Sequence, residues 1–271
     1  TNTSDASYCI GECMKLLANR INMPLLMNCF TALGGRSMTI VEVSSNRTVN
    51  HSPVTQELLE EMDLECKQKI EARNPQAAVL AVVPYSYLLD GVEQNYPPES
   101  SQRVTDFIAK YVAFVGIKEL EKKVEDSFIR TPKHLEQMFA RPDALLCALA
   151  TEEEMNNGCA VLDLGAQTST LTIHKGGGYL YNQVVPLGGY DITEAVEQLG
   201  ISLMQAERLK CIYGVASADM VKVNRTYLLT NPEGEKISVS AVQLAEVISC
   251  KLAEMLTPLM ETLNKEAQGI E

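Results

Sequence analysis

The run of residues most suited to chemistry is DLGAQTST, from Asp163 to Thr170. Gly165 has no Cβ, so backbone and ligand can approach each other closely there. The turn that follows can direct backbone N–H groups and the Thr168 and Ser169 hydroxyls toward phosphate oxygens. Asp163 stands where a carboxylate can hold a hydrated Mg²⁺ or polarise a water beside a terminal phosphate. An ordinary hairpin also contains a buried strand and a polar glycine turn, so the run alone is a weak signal. The predicted phosphate contacts are Gly165, Ala166, Gln167, Thr168 and Ser169.

A second group of residues follows about two dozen positions later. Gly188 and Gly189 precede a predicted helix, and a further helix carries Glu207 and Lys210. The acid and the base are three residues apart, which puts them on one helix face. From this spacing alone, a solvated ion pair is the favoured interpretation.

Strands and helices alternate along the chain, which predicts an α/β fold. Helices are expected at 5–20, capped by Asp5, from Ser52-Pro53 to Asn74-Pro75, at 118–128, and at 144–149. Strands are expected within 28–43, at 77–83 and 107–115, and at 159–165, 168–174 and 179–186 around the turn at Gly176–Gly178. Capping-box pairs start three more helices, at Asp191 with Glu194, Ser202 with Gln205, and Ser240 with Gln243. A hairpin turns at 231–234.

Charge and cysteine usage restrict the possible functions. The 271 residues include 35 acids and 23 bases, a net charge of −12, which disfavours nucleic acid and anionic lipid as direct ligands. The sequence has no apolar run of about 20 residues and no signal-peptide pattern. Its eight cysteines include no C-x-x-C pair, so neither zinc nor a redox dithiol is indicated. We expect reduced, buried thiols and a cytoplasmic protein.

The order of these motifs resembles the superfamily of actin, sugar kinases and heat-shock chaperones. The segment AERLKCIYG, residues 206–214, is similar to the A-E-x-x-K-x-x-x-G of FtsA-type cell-division proteins. Upstream, VPYSYLLDG at 83–91 followed by Pro97-Pro98 is similar to the P-x-x-Y-x-x-D-G and N-P segments of that family. Residues 142–159 resemble the helix and loop that lead into its second phosphate motif. In the family, residues matching Glu207 and Lys210 lie near the ribose and the base.

The resemblance implies a fold and a function for most of the chain. The fold would have actin-like (ribonuclease H-like) lobes with an inserted α/β subdomain of the SHS2 type. The first lobe would comprise residues 1–27 and 133–186, the insert 28–132 and the second lobe 187–271. The protein would bind ATP and Mg²⁺, with the metal at Asp163, and polymerise as a division scaffold. It would bind the tubulin-like protein FtsZ and other division proteins. A tail not present here would hold it at the inner face of the bacterial membrane.

Departures from the family pattern D-[I/L]-G-G-G-T-T-D limit the expected activity. Ala166 and Gln167 replace two glycines, and Thr170 replaces the acid. A first phosphate loop and a glycine-rich adenosine loop are not recognisable, so we expect a central part, truncated at both ends, with half a nucleotide site. Losing two charge-assisted hydrogen bonds costs about 3–6 kcal/mol and weakens a micromolar site by roughly two to four decades. We therefore expect ATP to bind no tighter than about millimolar, and at most weak ATPase activity.

Two other functions stay open. A type-IV pilus platform of the PilM kind would bind a peptide from a membrane partner, and that family also tolerates Ala and Thr in the phosphate motif. A sugar kinase would need a catalytic carboxylate near its sugar, for which the sequence offers no separate acidic motif. The segment Tyr87–Gly91 favours the FtsA resemblance over PilM.

Overall fold

The structure, a computed structural model, describes residues 2–22, 28–99, 101–129, 131 and 134–268. The chain folds as two compact units. The first comprises Thr1–Val161 and Thr172–Asn182, and the second Leu162–Leu171 and Gln183–Glu271. Residues 23–27 and 132–133, where the predicted inserted subdomain begins and ends, lie outside the described residues. The division into two lobes and an insert therefore stays a prediction.

Among the described residues, the first unit begins with five helices and six strands. The helices are α1 (Thr3–Ile21), α2 (Gln56–Arg73), α3 (Lys118–Ile129), α4 (Arg141–Leu149) and α5 (Glu152–Asn157). The strands are β1 (Asn28–Leu33), β2 (Thr39–Pro53), β3 (Ala77–Leu89), β4 (Val92–Gln94), β5 (Arg103–Ile117) and β6 (His134–Ala140). Strands β1 and β6 form a parallel pair, whereas the other four form an antiparallel sheet in the order β2-β5-β3-β4.

The remaining elements begin with a three-stranded sheet, ordered β7-β8-β9. Each of its strands has residues in both units, because the chain changes from one unit to the other within the strand. Its strands are β7 (Cys159–Leu164), β8 (Ser169–Lys175) and β9 (Gly178–Val185). Then follow α6 (Gly189–Glu197), α7 (Leu203–Tyr213), a 3-10 turn (Ala218–Met220), the hairpin β10 (Thr226–Thr230) and β11 (Lys236–Ser240), and α8 (Ala241–Gln268). None of the helices described has the length and apolar character needed to cross a membrane.

Strand β5 shows how the four-stranded sheet builds two cores. Successive side chains of a strand point to opposite faces. Phe107 and Tyr111 therefore lie on one face, where they pack against Met62 and Cys66 of α2. Phe114 lies on the other face, in a separate buried cluster that includes Leu146 of α4 and Tyr179 of β9. The unit thus has a core on each side of one sheet.

The second unit has a helical core. Helices α6, α7 and α8 bury one apolar stripe each, and the hairpin β10–β11 contributes to the same cluster. The central side chains of this cluster are Val196, Leu209, Val239, Leu244 and Met255. Because all three helices share this cluster, their mutual packing fixes the start of α6.

The predicted alternation of strands and helices is confirmed, and the main errors concern helix starts. Helix α2 begins at Gln56 because Ser52 and Pro53 extend the edge strand β2, where a proline is tolerated. The side chain that caps α1 is Asn2, not Asp5. Helix α6 starts at Gly189, so Asp191 acts from its first turn rather than as the cap.

The expectation of buried thiols was wrong for most cysteines. Only Cys66 is buried, while Cys9, Cys13, Cys147, Cys211 and Cys250 are exposed. The i, i+4 spacing of Cys9 and Cys13 does place them on one face of α1. That face is directed outward, because α1 instead turns Ser7 inward to donate a hydrogen bond to the Ser127 carbonyl at 2.7 Å.

The turn Gly176–Gly178 packs against residues of the four-stranded sheet in the first unit. A Cβ built on Gly178 would lie 2.6 Å from the Tyr85 Cβ, and one on Gly177 would lie 3.3 Å from the Asn95 carbonyl oxygen. Contacts below about 3.0 Å require something to shift. The glycines of this turn are therefore needed for close packing as well as for chain reversal.

We predict that Gly178→Ala lowers the free energy of unfolding by about 1–3 kcal/mol, since the new methyl group overpacks against Tyr85. Gly11→Ala is the matched control, because a Cβ there meets nothing within 4 Å inside α1. That control should stabilise the protein by about 0.5–1 kcal/mol through helix propensity. Urea unfolding of both variants measures the difference, and equal effects of the two substitutions would contradict the packing argument.

Candidate functional site

The loop between β7 and β8 is closed by its own backbone. The Gly165 N–H donates to the Thr168 carbonyl at 2.9 Å. A Cβ on Gly165 would lie 2.9 Å from that same oxygen, so only glycine fits without a shift. Ser169 is fully buried and donates its hydroxyl to the Leu187 carbonyl at 2.9 Å. The predicted contact of Ser169 with phosphate stays a prediction, since its hydroxyl here anchors the loop.

The segment at Gly188 packs directly on this loop. A Cβ on Gly188 would lie 2.5 Å from the carbonyl carbon and oxygen of Ala166 and 2.6 Å from the Gln167 nitrogen. The Gly189 N–H donates to the Gly165 carbonyl at 3.0 Å, and the Tyr190 N–H donates to the Ala166 carbonyl at 2.7 Å. The two predicted glycine motifs are thus joined backbone to backbone.

These contacts determine which N–H groups already have a hydrogen-bond acceptor. The first N–H groups of α6 point into the loop, and the Gly188 N–H is taken by the Asp191 carboxylate at 2.7 Å. Ala166 and Gln167 are exposed, and among the described residues no acceptor is recorded for their N–H groups. Free donors for an anion therefore come from the loop and not from the helix end.

Glu207 and Lys210 of α7 meet the first turn of α6. The Lys210 Nζ lies 2.6 Å from Glu207 Oε2, 2.8 Å from the Gly189 carbonyl oxygen and 2.7 Å from Thr193 Oγ1. The Thr193 hydroxyl contacts both the Glu207 carboxylate and the Gly189 carbonyl oxygen. The pair is more than a solvated ion pair, because it is tied to the backbone at the predicted Gly-Gly motif.

Thr193 is the site residue that the sequence analysis missed. Its side chain is 1% exposed, although it is polar. A buried hydroxyl must find a hydrogen-bonding partner. A polar residue on the inner face of the predicted helix, four positions after Gly189, therefore indicates a polar contact there, and this was the signal available in the sequence.

Hydrogen bonds from Lys210, Thr193 and Cys211 lower the pKa of Glu207 from its ordinary value of 4.5 to about 2. The Lys210 contact is the largest cause. The carboxylate therefore remains charged throughout the neutral range and holds Lys210 in place. Its side chain is about half exposed, so solvent screens much of the gain.

Asp163 lies in β7, two residues before Gly165, and is half-buried. Within the part of the chain that the structure describes, no group of three or more His, Cys, Asp or Glu side chains could hold a metal. Magnesium bound with nucleotides needs only one or two carboxylates beside the phosphates. A single aspartate at this loop fits that donor set. Every predicted site residue, from Asp163 to Ser169 and at 188, 189, 207 and 210, falls within the second unit.

Comparison with solved structures identifies the class of the fold. The PilM-PilN type IV pilus biogenesis complex matches with a TM-score of 0.63 at 18% identity, covering 97% of this chain and 64% of that chain. The mixed α/β architecture is therefore the actin-like fold, as predicted.

Sequence relatives place the chain within this class. The model of the family Cell division protein FtsA matches residues 160–269. FtsA of Neisseria meningitidis serogroup B is 26% identical over 200 residues, which are 70% of this chain and 48% of that protein. FtsA of Buchnera aphidicola is 24% identical over 272 residues, which are 97% of this chain and 63% of that protein. Over these ranges the chain is similar to FtsA cell division proteins, and it spans about half to two-thirds of the length of these two relatives.

We predict that Glu207→Gln lowers the midpoint of thermal unfolding at pH 7. A depressed carboxylate pKa contributes stability above its unfolded value of 4.5, and that stability is lost as the pH falls toward 2. The difference between wild type and variant should therefore shrink from pH 5 to pH 3. Glu254→Gln is the control, because Glu254 also pairs with a lysine three residues away on a helix surface. A constant difference across this range would contradict the assigned pKa shift.

Proposed function

We propose that this chain supplies the second phosphate loop of an ATP site in an FtsA-type actin homologue. The carrying observation is the backbone packing of Gly188 on Ala166 and Gln167, two exposed residues whose N–H groups make no hydrogen bond within the described part of the chain. Such pre-set donors can hold phosphate oxygens even in a protein of net charge −12.

Each residue would have a defined part. The N–H groups of Ala166 and Gln167 and the Thr168 hydroxyl would bind phosphate oxygens, and Asp163 would hold a hydrated Mg²⁺. The metal would neutralise phosphate charge. Glu207 and Lys210 would lie at the nucleoside end. Any ATPase activity would be weak, since the chain contributes one phosphate loop.

In the cell, the intact protein would polymerise in the cytoplasm at the inner face of the membrane, as a scaffold linking the division ring to it. Its partners would be further copies of itself, the tubulin-like protein FtsZ and other division proteins. The support for these roles is the similarity of residues 160–269 to the FtsA family model and of most of the chain to FtsA proteins.

We predict weak Mg-ATP binding to this chain, with an affinity no tighter than about millimolar. Compared with a micromolar site that has two phosphate loops, the loss of two charge-assisted hydrogen bonds costs about 3–6 kcal/mol. In a ¹⁵N NMR titration, the responding amides should be those of 165–168 and 188–190. Asp163→Asn should remove the magnesium dependence of this response. Asp219→Asn, at an exposed 3-10 turn, should not change it. Amide shifts confined to other parts of the chain would refute the assignment.

The first unit carries an observation that favours a second function, a peptide-binding platform. A groove of about 540 Å³ runs beside β6 and α3. Strand β6 pairs with β1 on one side, and no further strand of the described residues joins this sheet. Residues His134–Met138 of this strand line the groove, so an extended peptide lying there could add to the strand's unpaired edge.

The charge of the groove points to a basic peptide. Its lining includes the carboxylates of Glu121, Glu125 and Glu136, against Lys67 and His134. Burial and the neighbouring Glu125 raise the pKa of Glu121, so the acids there are crowded. A lysine or arginine side chain would relieve this repulsion, while Ile129 and Leu135 offer apolar contact. The PilM-PilN complex is a solved assembly of the same fold.

We predict that a fluorescent octapeptide alternating lysine and valine binds this groove, with affinity that falls as salt rises. Glu121→Lys should weaken binding roughly tenfold or more by reversing a charge at the contact. Glu60→Lys, on an exposed part of α2, is the matched reversal and should have little effect. Fluorescence anisotropy measures both affinities. If the two variants weaken binding equally, only the net charge matters and the groove is not the site.

A further inference from the structure

Lys210 reaches the phosphate loop through the backbone. All three protons of its ammonium group are used within the protein, on Glu207 Oε2, Thr193 Oγ1 and the Gly189 carbonyl oxygen, at 2.6, 2.7 and 2.8 Å. The side chain therefore has no free donor for a ligand in this arrangement. Its effect on a ligand must act through the groups that accept its hydrogen bonds.

One acceptor leads directly to the loop. The Gly189 carbonyl and the Tyr190 N–H belong to the same peptide group. That N–H donates to the Ala166 carbonyl at 2.7 Å. The Ala166 carbonyl in turn shares a peptide group with the N–H of Gln167, an exposed residue, and no described residue accepts a hydrogen bond from that N–H. Two peptide groups in series thus connect the Lys210 ammonium to a donor at the loop surface.

Hydrogen bonds in such a chain polarise one another. A cation at a carbonyl oxygen draws electron density toward itself, which makes the N–H of that peptide a stronger donor, and the effect passes to the next peptide. We propose that Lys210 activates the Gln167 N–H for anion binding through this two-peptide relay, and that Thr193 is the positioning residue that holds Lys210 on the Gly189 carbonyl. The proposal rests on the proposed function of the loop.

Thr193 suits this part because its hydroxyl has one proton and two acceptor positions. It accepts from Lys210 and can donate to the Glu207 carboxylate, so it occupies the space between the two charged groups. Thr193→Val would keep the shape and remove the contacts of the hydroxyl with Lys210, with Glu207 and with the Gly189 carbonyl oxygen. Thr193→Ser would keep the hydroxyl.

The test measures the Gln167 amide proton by NMR in the ligand-free chain. Its resonance should move upfield in Lys210→Met and in Thr193→Val, and should stay near wild type in Thr193→Ser. Lys251→Met is the control for charge acting through space, because Lys251 pairs with Glu254 and also acts electrostatically on Asp191 of α6. It should leave Gln167 unchanged. Thr193→Val retains every charge and tests the relay if Lys210→Met fails to fold.

Binding of inorganic tripolyphosphate gives the second readout, since this anion has no ribose or base to touch Lys210. Its affinity should fall by roughly 1.3- to 5-fold in Lys210→Met, from a change of about 10–30% in a charge-assisted hydrogen bond. An unchanged Gln167 resonance in folded Lys210→Met or Thr193→Val, or an equal shift in Lys251→Met, would overturn the relay. If wild type fails to bind tripolyphosphate, the proposed function fails, while the ligand-free resonance still decides the relay.

Discussion

The second unit depends on one close approach, in which the Cα of Gly188 lies against the peptide between Ala166 and Gln167. Any side chain at 188 would place its Cβ 2.5 Å from the Ala166 carbonyl, closer than atoms can come. With hydrogen at that position, two N–H groups at the start of α6 reach the carbonyls of the loop. This contact satisfies donors that a helix end otherwise leaves unpaired. It also fixes the position of the loop at Ala166 and Gln167, so one steric constraint sets both the packing and the place of the remaining donors.

Electrostatics around α6 follow from this constraint. The first N–H groups of the helix donate to carbonyl oxygens of the loop, so few N–H donors remain at the helix end to bind an anion. The positive charge nearby is Lys210, and its pairing with Glu207 lets it remain close to the backbone without an unpaired charge. A protein with 12 more acids than bases can therefore hold a local donor site, because aligned N–H groups act over a short range and net charge acts over a long one.

Local patterns explain which features could be predicted from the sequence. The buried run 77–83 and the motif around Gly165 are continuous in sequence, so strand and turn were predicted correctly. The start of α2 was wrong because Pro53 suits a helix start and an edge strand equally, and only pairing with β5 decides between them. Thr193 was missed because its role depends on Glu207 and Lys210 of α7, which lie fourteen and seventeen positions later. The outward face of α1 likewise follows from its tertiary contact with α3, which no periodicity in α1 reveals.

The loop also explains why two family glycines could be replaced here. Neither Ala166 nor Gln167 has a positive φ, and both are exposed, so their side chains meet no backbone penalty. Gly165 and Gly188 differ, since a Cβ at either would lie within 3.0 Å of a backbone atom. Replacing a glycine whose conformation any residue can adopt restricts the unfolded chain and stabilises the fold. The departure from the glycine-rich pattern therefore leaves the direction of the loop donors intact, and it favours a loop that is set before a ligand arrives.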